Sequence, residues 1–230
     1  MDPRKLFVDE RLTTLCTHCG ATPTSADHVP SKVFLDEPFP PDLAVVPSCR
    51  ECNSGMSLDE EYLACLVECV RVGSANSHAM RREKIIRILQ DKPRLALRLK
   101  AAFREGESST LWWKPEWPRV NRVVLKLARG HAAYECGESP LASPKTISVA
   151  PMALLTPDEI ASFEAVPAET VFPEIGSRAF NETLISNNEV FLQLGWRVVQ
   201  QDQYRYLVSY SHGMHVRIVL GEYLACEICW

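Results

Sequence analysis

Two Cys-x-x-Cys pairs constrain this chain more than any other feature: Cys16 with Cys19, and Cys49 with Cys52, separated by 29 residues. The stretch between them is punctuated by Gly20, Pro23, Pro30 and the Pro-rich acidic run "DEPFPPD" at 36–42, which has no regular-structure pattern. Such a segment has little apolar surface with which to order itself. Four thiolates gathered on one tetrahedral ion would supply that order, and Zn²⁺ is the ion that four sulfurs select. Four sulfurs also close the coordination shell, so the expected zinc is architectural. His18, inside the first pair, is an alternative ligand.

The compartment supports metal over disulfides. The N-terminus, "MDPRKLFVDERLTTL", is charged and lacks the apolar stretch of a secretory signal, and no apolar run is long enough to span a bilayer. The chain therefore reads as cytoplasmic, with no membrane partner and with its nine cysteines reduced. At 230 residues and 46% apolar it can build a real core.

Patterning predicts an α+β chain in three stretches. Residues 1–72 hold the cysteine pairs, short strands near 16–30 and 43–47, a short helix from Cys49 to Gly55, and a longer helix. Ser57 and Glu60 form a capping-box pattern at the start of that longer helix. Residues 73–135 are read as helical with basic faces: one helix stopping before Pro93, an ambiguous segment after it, a connection over 106–117, and a helix over 118–134 opened by Pro118. Residues 136–230 are β-rich and of unassigned role. A strand is expected in "KTISVAPMALL", and a meander of up to four antiparallel strands runs from Trp196 to the end. Cys65 and Cys69, four apart on an apolar helix, are read as core. Cys226 and Cys229 point to opposite faces of a strand and, with no second pair nearby, are also read as core. His78, His131, His212 and His215 are given no site role, and Cys136 none.

The order "CTHCG…ADHVP…DLAVVPSCRECN" resembles the zinc-stapled branch of the HNH endonucleases, the ββα-metal nuclease fold. The likeness covers about residues 10–72. It implies an N-terminal zinc-stapled ββα-metal module that cuts or nicks DNA. His28 would be the general base, since a neutral imidazole can take a proton from water near pH 7. Asp27 and Asn53 would hold a catalytic Mg²⁺ or Mn²⁺, ions that prefer oxygen ligands. Asp42 stands where the family usually has Asn, at the start of the second strand, so it can accept hydrogen bonds from the His loop but not donate them. Two other classes fit the same residues: a non-catalytic zinc-binding DNA adaptor, and an interaction subunit of a larger nucleic-acid-processing complex.

Charge points to where DNA would lie. The net charge is −4, yet Met80–Arg104 holds nine Lys or Arg against two Asp or Glu, which leaves the rest of the chain at −11. Arg119, Arg122, Lys126 and Arg129 are spaced as one stripe along a helix and are the candidate phosphate-tracking face. Arg81, Lys84 and Arg87 are a second candidate face. Trp112 and Trp113 are read as buried anchors. An acidic body with short basic stripes is expected to bind DNA weakly alone, so a protein partner or a second copy is anticipated. Tyr204, Tyr206 and Tyr210 of the meander are its expected docking surface.

Overall fold

A computed structural model describes residues 13–105, 111–167, 177–178, 195–210 and 213–230. The lead-in before residue 13, part of the expected connection at 106–110, and His212 lie outside these residues.

The sequence between the cysteine pairs forms a hairpin. Strands β1 (Ser25–Val29) and β2 (Ala44–Ser48) pair antiparallel, with His28 opposite Val45 and Asp27 opposite Val46. Helix α1 (Arg50–Asn53) follows at once and is capped by Cys49, whose Sγ accepts the Cys52 N–H at 3.4 Å. A 3₁₀ turn at Ser54–Met56 then runs directly into α2 (Ser57–Val72). Gly73 ends α2 in the left-handed region at φ +67°, where glycine carries no Cβ penalty. The expected capping box does not form. The chain enters α2 already helical, so Ser57 donates back to the Ser54 carbonyl, and Glu60 is buried and engaged elsewhere.

Helices α3 (Glu83–Asp91) and α4 (Pro93–Ala102) follow, with Pro93 opening α4 as well as closing the previous helix. The segment expected as a bare connection carries strand β4 (Leu111–Trp113), paired with β3 (Phe103–Glu105). Within it Trp113 packs on Phe103, ring centroids 4.8 Å apart, while Trp112 is exposed. Helix α5 (Trp117–Cys136) is the longest element. The remainder is β5 (Thr146–Pro151), α6 (Pro157–Glu164) and the expected meander β6 (Arg197–Gln200), β7 (Tyr204–Tyr210), β8 (Met214–Leu220) and β9 (Leu224–Cys229). These strands form one antiparallel sheet in the order β5-β9-β8-β7-β6. Helix α6 was not anticipated. It opens with a true capping box between Thr156 and Glu159, a signal present in the sequence.

Helix α5 organises the core. Its Val120, Val123, Val124, Leu127 and Ala132 are buried between α2 (Tyr62, Leu63, Leu66) and the inner face of the sheet (Val216, Ile218, Ile228). The three stretches read from sequence thus share one continuous core rather than standing as separate modules. Tyr204 and Tyr206 belong to that core, which corrects their assignment to a docking surface. His131 of α5 stacks on Tyr206 at 3.6 Å and shares a 2.7 Å hydrogen bond with the Tyr204 hydroxyl. Burial pushes the His131 pKa down to about 3, so this histidine is neutral at physiological pH. Tyr210 alone of the three is exposed, and its hydroxyl donates to Glu138 at 3.1 Å.

The hairpin rests on α5 through a second, smaller cluster of Val29, Ala44, Val46, Ala133 and Tyr134. Close approach depends on Gly130: a Cβ there would meet Val29 Cγ2 at 2.6 Å, well inside contact distance. Gly130→Ala gains about 1 kcal/mol of helix propensity, but wedging a stiff valine costs about 1–3 kcal/mol. We expect a net loss of stability in urea unfolding. A more stable variant would mean that β1 stands off α5.

Candidate metal centre and candidate active site

Cys16, Cys19, Cys49 and Cys52 converge at the base of the hairpin, with all four sulfurs within 4.8 Å of one another and Cys19 and Cys49 Sγ 3.7 Å apart. Tetrahedral zinc–thiolate bonds of about 2.3 Å place sulfurs roughly 3.8 Å apart, so the four residues fit a structural ion such as zinc. Local structure explains the convergence. The first pair sits in a tight turn where Gly20 donates to the Cys16 carbonyl at 2.8 Å, and the second pair straddles the start of α1. Burial opposes ionisation of Cys16, but backbone hydrogen bonds from the Cys49, His18 and Cys19 positions outweigh it and lower its pKa to about 7. One ligand is therefore close to its metal-binding form at neutral pH.

Residues alternate along β1, and this separates the two neighbours expected to act together. Asp27 and Val29 face α5 and are buried, whereas Ala26 and His28 face away from it; Ala26 is exposed and His28 half-buried. Asn53, half-buried on α1, bonds back to the start of β1. Its Nδ2 donates to the Ala26 carbonyl at 3.0 Å and to Ser25 Oγ at 3.3 Å, locking α1 to the strand that carries His28. Asp42 is exposed, just ahead of β2, at the rim of a cleft of about 480 Å³ that Val29, Ala44 and Glu135 also line.

Asp27 is committed to a buried charge cluster. Its Oδ2 lies 2.9 Å from Lys126 Nζ and 3.1 Å from His18 Nε2. The same ammonium donates to Glu60 Oε1 at 2.6 Å, and Ser31 Oγ donates to that oxygen at 2.6 Å. Lys126 and Asp27 are each 4% exposed. Burial disfavours the Asp27 carboxylate, yet the His18 hydrogen bond and the Lys126 charge outweigh it and hold its pKa below the usual value. For Lys126 burial likewise disfavours the charge, and Asp27 and Glu60 reverse it, raising the pKa.

This geometry corrects two expectations. Asp27 is buried against α5 and an ammonium already neutralises it, so it does not fit as an open ligand of a catalytic Mg²⁺ or Mn²⁺. The basic stripe on α5 is only partly open. Lys126 is buried, and Arg129 donates to the carbonyls of His18 (2.8 Å), Pro140 (3.0 Å) and Leu141 (2.9 Å), pinning the first cysteine turn to α5. Arg119 and Arg122 both pair with Asp59 of α2. The cause is the packing of α5 on α2, whose Asp59 and Glu60 pair with Arg119, Arg122 and Lys126, although Arg122 stays more than half exposed. On α3, Lys84 donates to the Lys32 carbonyl at 2.8 Å, and Arg87 pairs with Glu83.

His18 and Glu60 were missed as site-shaping residues. A lysine beside Val123, Val124 and Leu127 on an apolar helix side was the available signal, because a buried ammonium requires acidic partners. Comparison with protein-family models, with curated proteins and with solved structures finds no match. Among the described residues no helix is long and apolar enough to cross a membrane.

Lys126→Met should strand two buried carboxylates and destabilise the protein by about 3–5 kcal/mol near pH 7. The depressed Asp27 pKa stabilises the fold above the ordinary Asp range, and that contribution is lost as pH falls through the folded value. The raised Lys126 pKa stabilises it below the ordinary Lys range, and that contribution is lost as pH rises through the folded value. The deficit of the variant should therefore be largest at neutral pH and shrink toward pH 4, where its stranded carboxylates protonate. Denaturant unfolding across pH measures this; a deficit independent of pH would contradict the charge assignment.

Proposed function

We propose that this chain is a zinc-clamped phosphodiester hydrolase of the HNH type, acting on DNA, with His28 as general base. The observation that carries this reading is the outward placement of His28 on a hairpin that the four-cysteine cluster and the Asn53 side chain join to α1. An imidazole there can accept a proton from an attacking water. Asn53 acts as a positioning residue, since its amide fixes the strand that presents the base. No step is assigned to a divalent ion, because Asp27 is already neutralised by Lys126. The cations of α5 are engaged within the fold, so delivery to DNA falls to a protein partner or a second copy of the chain. One observation favours a second reading, a non-catalytic zinc-binding DNA adaptor: the Asp27–Lys126 pair takes the acidic side chain that a metal-dependent nuclease would keep open.

Nicking of supercoiled plasmid separates the two. Under the hydrolase reading wild type nicks, and His28→Ala loses activity by about 100-fold or more while keeping wild-type zinc content and fold. Reactions with Mg²⁺, with Mn²⁺ and with chelator show whether an added ion matters. Undiminished cutting by His28→Ala removes the base assignment, and absence of nicking by wild type in every condition replaces the hydrolase with the adaptor. The clamp is checked separately. Cys16→Ser and Cys52→Ser should lose zinc and lower the melting temperature, whereas folded wild-type protein without zinc would refute it.

A further inference from the structure

We propose a second metal site, of the three-ligand His/Glu/Cys type, on the outer face of the C-terminal sheet. Sequence reading placed Cys229 in the core and gave His215 no role. The sheet does otherwise. Cys226 points inward and is fully buried, while Cys229 points to the opposite, outer face and is half-buried. His215 on β8 lies directly across from Cys229 in the ladder, and Glu227, two residues earlier on β9, shares its face. His215 Nδ1 and Cys229 Sγ are 3.2 Å apart, and the ligand atoms of all three residues lie within 4.8 Å of one another.

Bonds of about 2.0–2.3 Å to nitrogen, sulfur and oxygen put tetrahedral donors roughly 3.3–3.8 Å apart. The 3.2 Å between His215 and Cys229 is close to that spacing, and Glu227 lies within 4.8 Å of both. The donor set selects the ion: thiolate and imidazole favour a borderline ion such as Zn²⁺ over Mg²⁺ or Ca²⁺. The carboxylate is also supported from outside the site. Arg217 Nε donates to Glu227 Oε1 at 2.7 Å, and its Nη1 is fixed by the carbonyls of Ala165 at 2.8 Å and Phe163 at 3.1 Å. Outer partners of this kind orient metal-ligating carboxylates.

Three protein ligands leave a fourth position open, as in catalytic rather than structural zinc sites. Glu227 and Arg217 also line a cleft of about 240 Å³ beneath α6, with Ser148, Glu159 and Ser162 around it. That cleft borders the proposed site through Glu227. The site is separate in the sequence and in ligand type from the four-cysteine cluster, and it does not depend on the hydrolase reading.

The test uses the full-length protein, purified with its cysteine cluster filled by zinc, and titrated with Co²⁺. Wild type should bind about one equivalent of Co²⁺ with a thiolate-to-cobalt absorption band. Cys229→Ser and His215→Ala should abolish the band, and Glu227→Gln should weaken Co²⁺ binding about tenfold or more. Zinc content of the variants, read by elemental analysis, should stay at the level of the filled cysteine cluster and shows that each is folded. No band in wild type, or an undiminished band in folded Cys229→Ser, would overturn the proposal. The latter would mean that cobalt had exchanged into the cysteine cluster.

Discussion

Everything near the N-terminal hairpin depends on where the ammonium of Lys126 sits. One buried cation joins Asp27 of β1 and Glu60 of α2 to α5, so three elements far apart in sequence meet at a single charge. Such a cluster is an inefficient way to gain stability, since desolvating the charges offsets much of their attraction. It is an effective way to specify geometry. A hairpin shifted by one residue would bury His28 in place of Asp27 and leave Lys126 facing an imidazole. The ion pair thus fixes which side of β1 looks outward, and His28 reaches the surface because Asp27 is held inside.

The cysteine cluster and the charge cluster divide the task of ordering residues 16–55. The hairpin itself contributes only Val29, Ala44 and Val46 to a small apolar patch. A metal held by the four cysteines would set the distance between the first cysteine turn and α1, and Arg129 ties that turn to α5 through the His18 carbonyl while also holding the Pro140 and Leu141 carbonyls. The Pro-rich loop is fastened separately. Arg82, buried, pairs with Asp36 at 2.6 Å and donates to the Val33 and Leu35 carbonyls at 3.1 and 2.9 Å. Arginines from the basic stretches are therefore structural pins for a segment with little apolar surface. Lys126 and Arg129 of the α5 stripe are consumed within the fold, whereas Arg122 and Arg87 keep more than half of their side-chain surface exposed.

Local signals were legible in the sequence, and partner choice was not. The cysteine spacing announced the convergence of Cys16, Cys19, Cys49 and Cys52, and strand alternation announced the meander and the opposed directions of Asp27 and His28. Pro118 marked the start of α5 to within a residue. What failed depended on contacts across long sequence separations. Ser57 and Glu60 match a capping box, but Glu60 lies where Lys126 needs it, 66 residues away. A stripe of Arg and Lys at helical spacing reads as a solvent or phosphate face until Asp59 and Glu60 are placed against it. Tyr204 and Tyr206 alternate as a surface strand would, but the side they share faces His131. In each case tertiary pairing overrode a pattern that is locally sound.

The two faces of β1 also bear on how a hydrolase of this kind would work. HNH chemistry needs positive charge near the reacting phosphate, and the positive charge closest to Asp27 is covalently part of the chain and buried beneath the strand. A fixed ammonium cannot move to the outer side where His28 stands. Charge compensation must then come from solution ions bound by the substrate itself or from a partner that brings cations to the hairpin. The acidic balance of the chain argues for the partner. At net −4, with Arg119 and Arg122 paired to Asp59 and Arg87 to Glu83, part of the positive charge on α5 and α3 is balanced inside the chain. Under the hydrolase reading proposed above, the chain would be a head carried to DNA by such a partner.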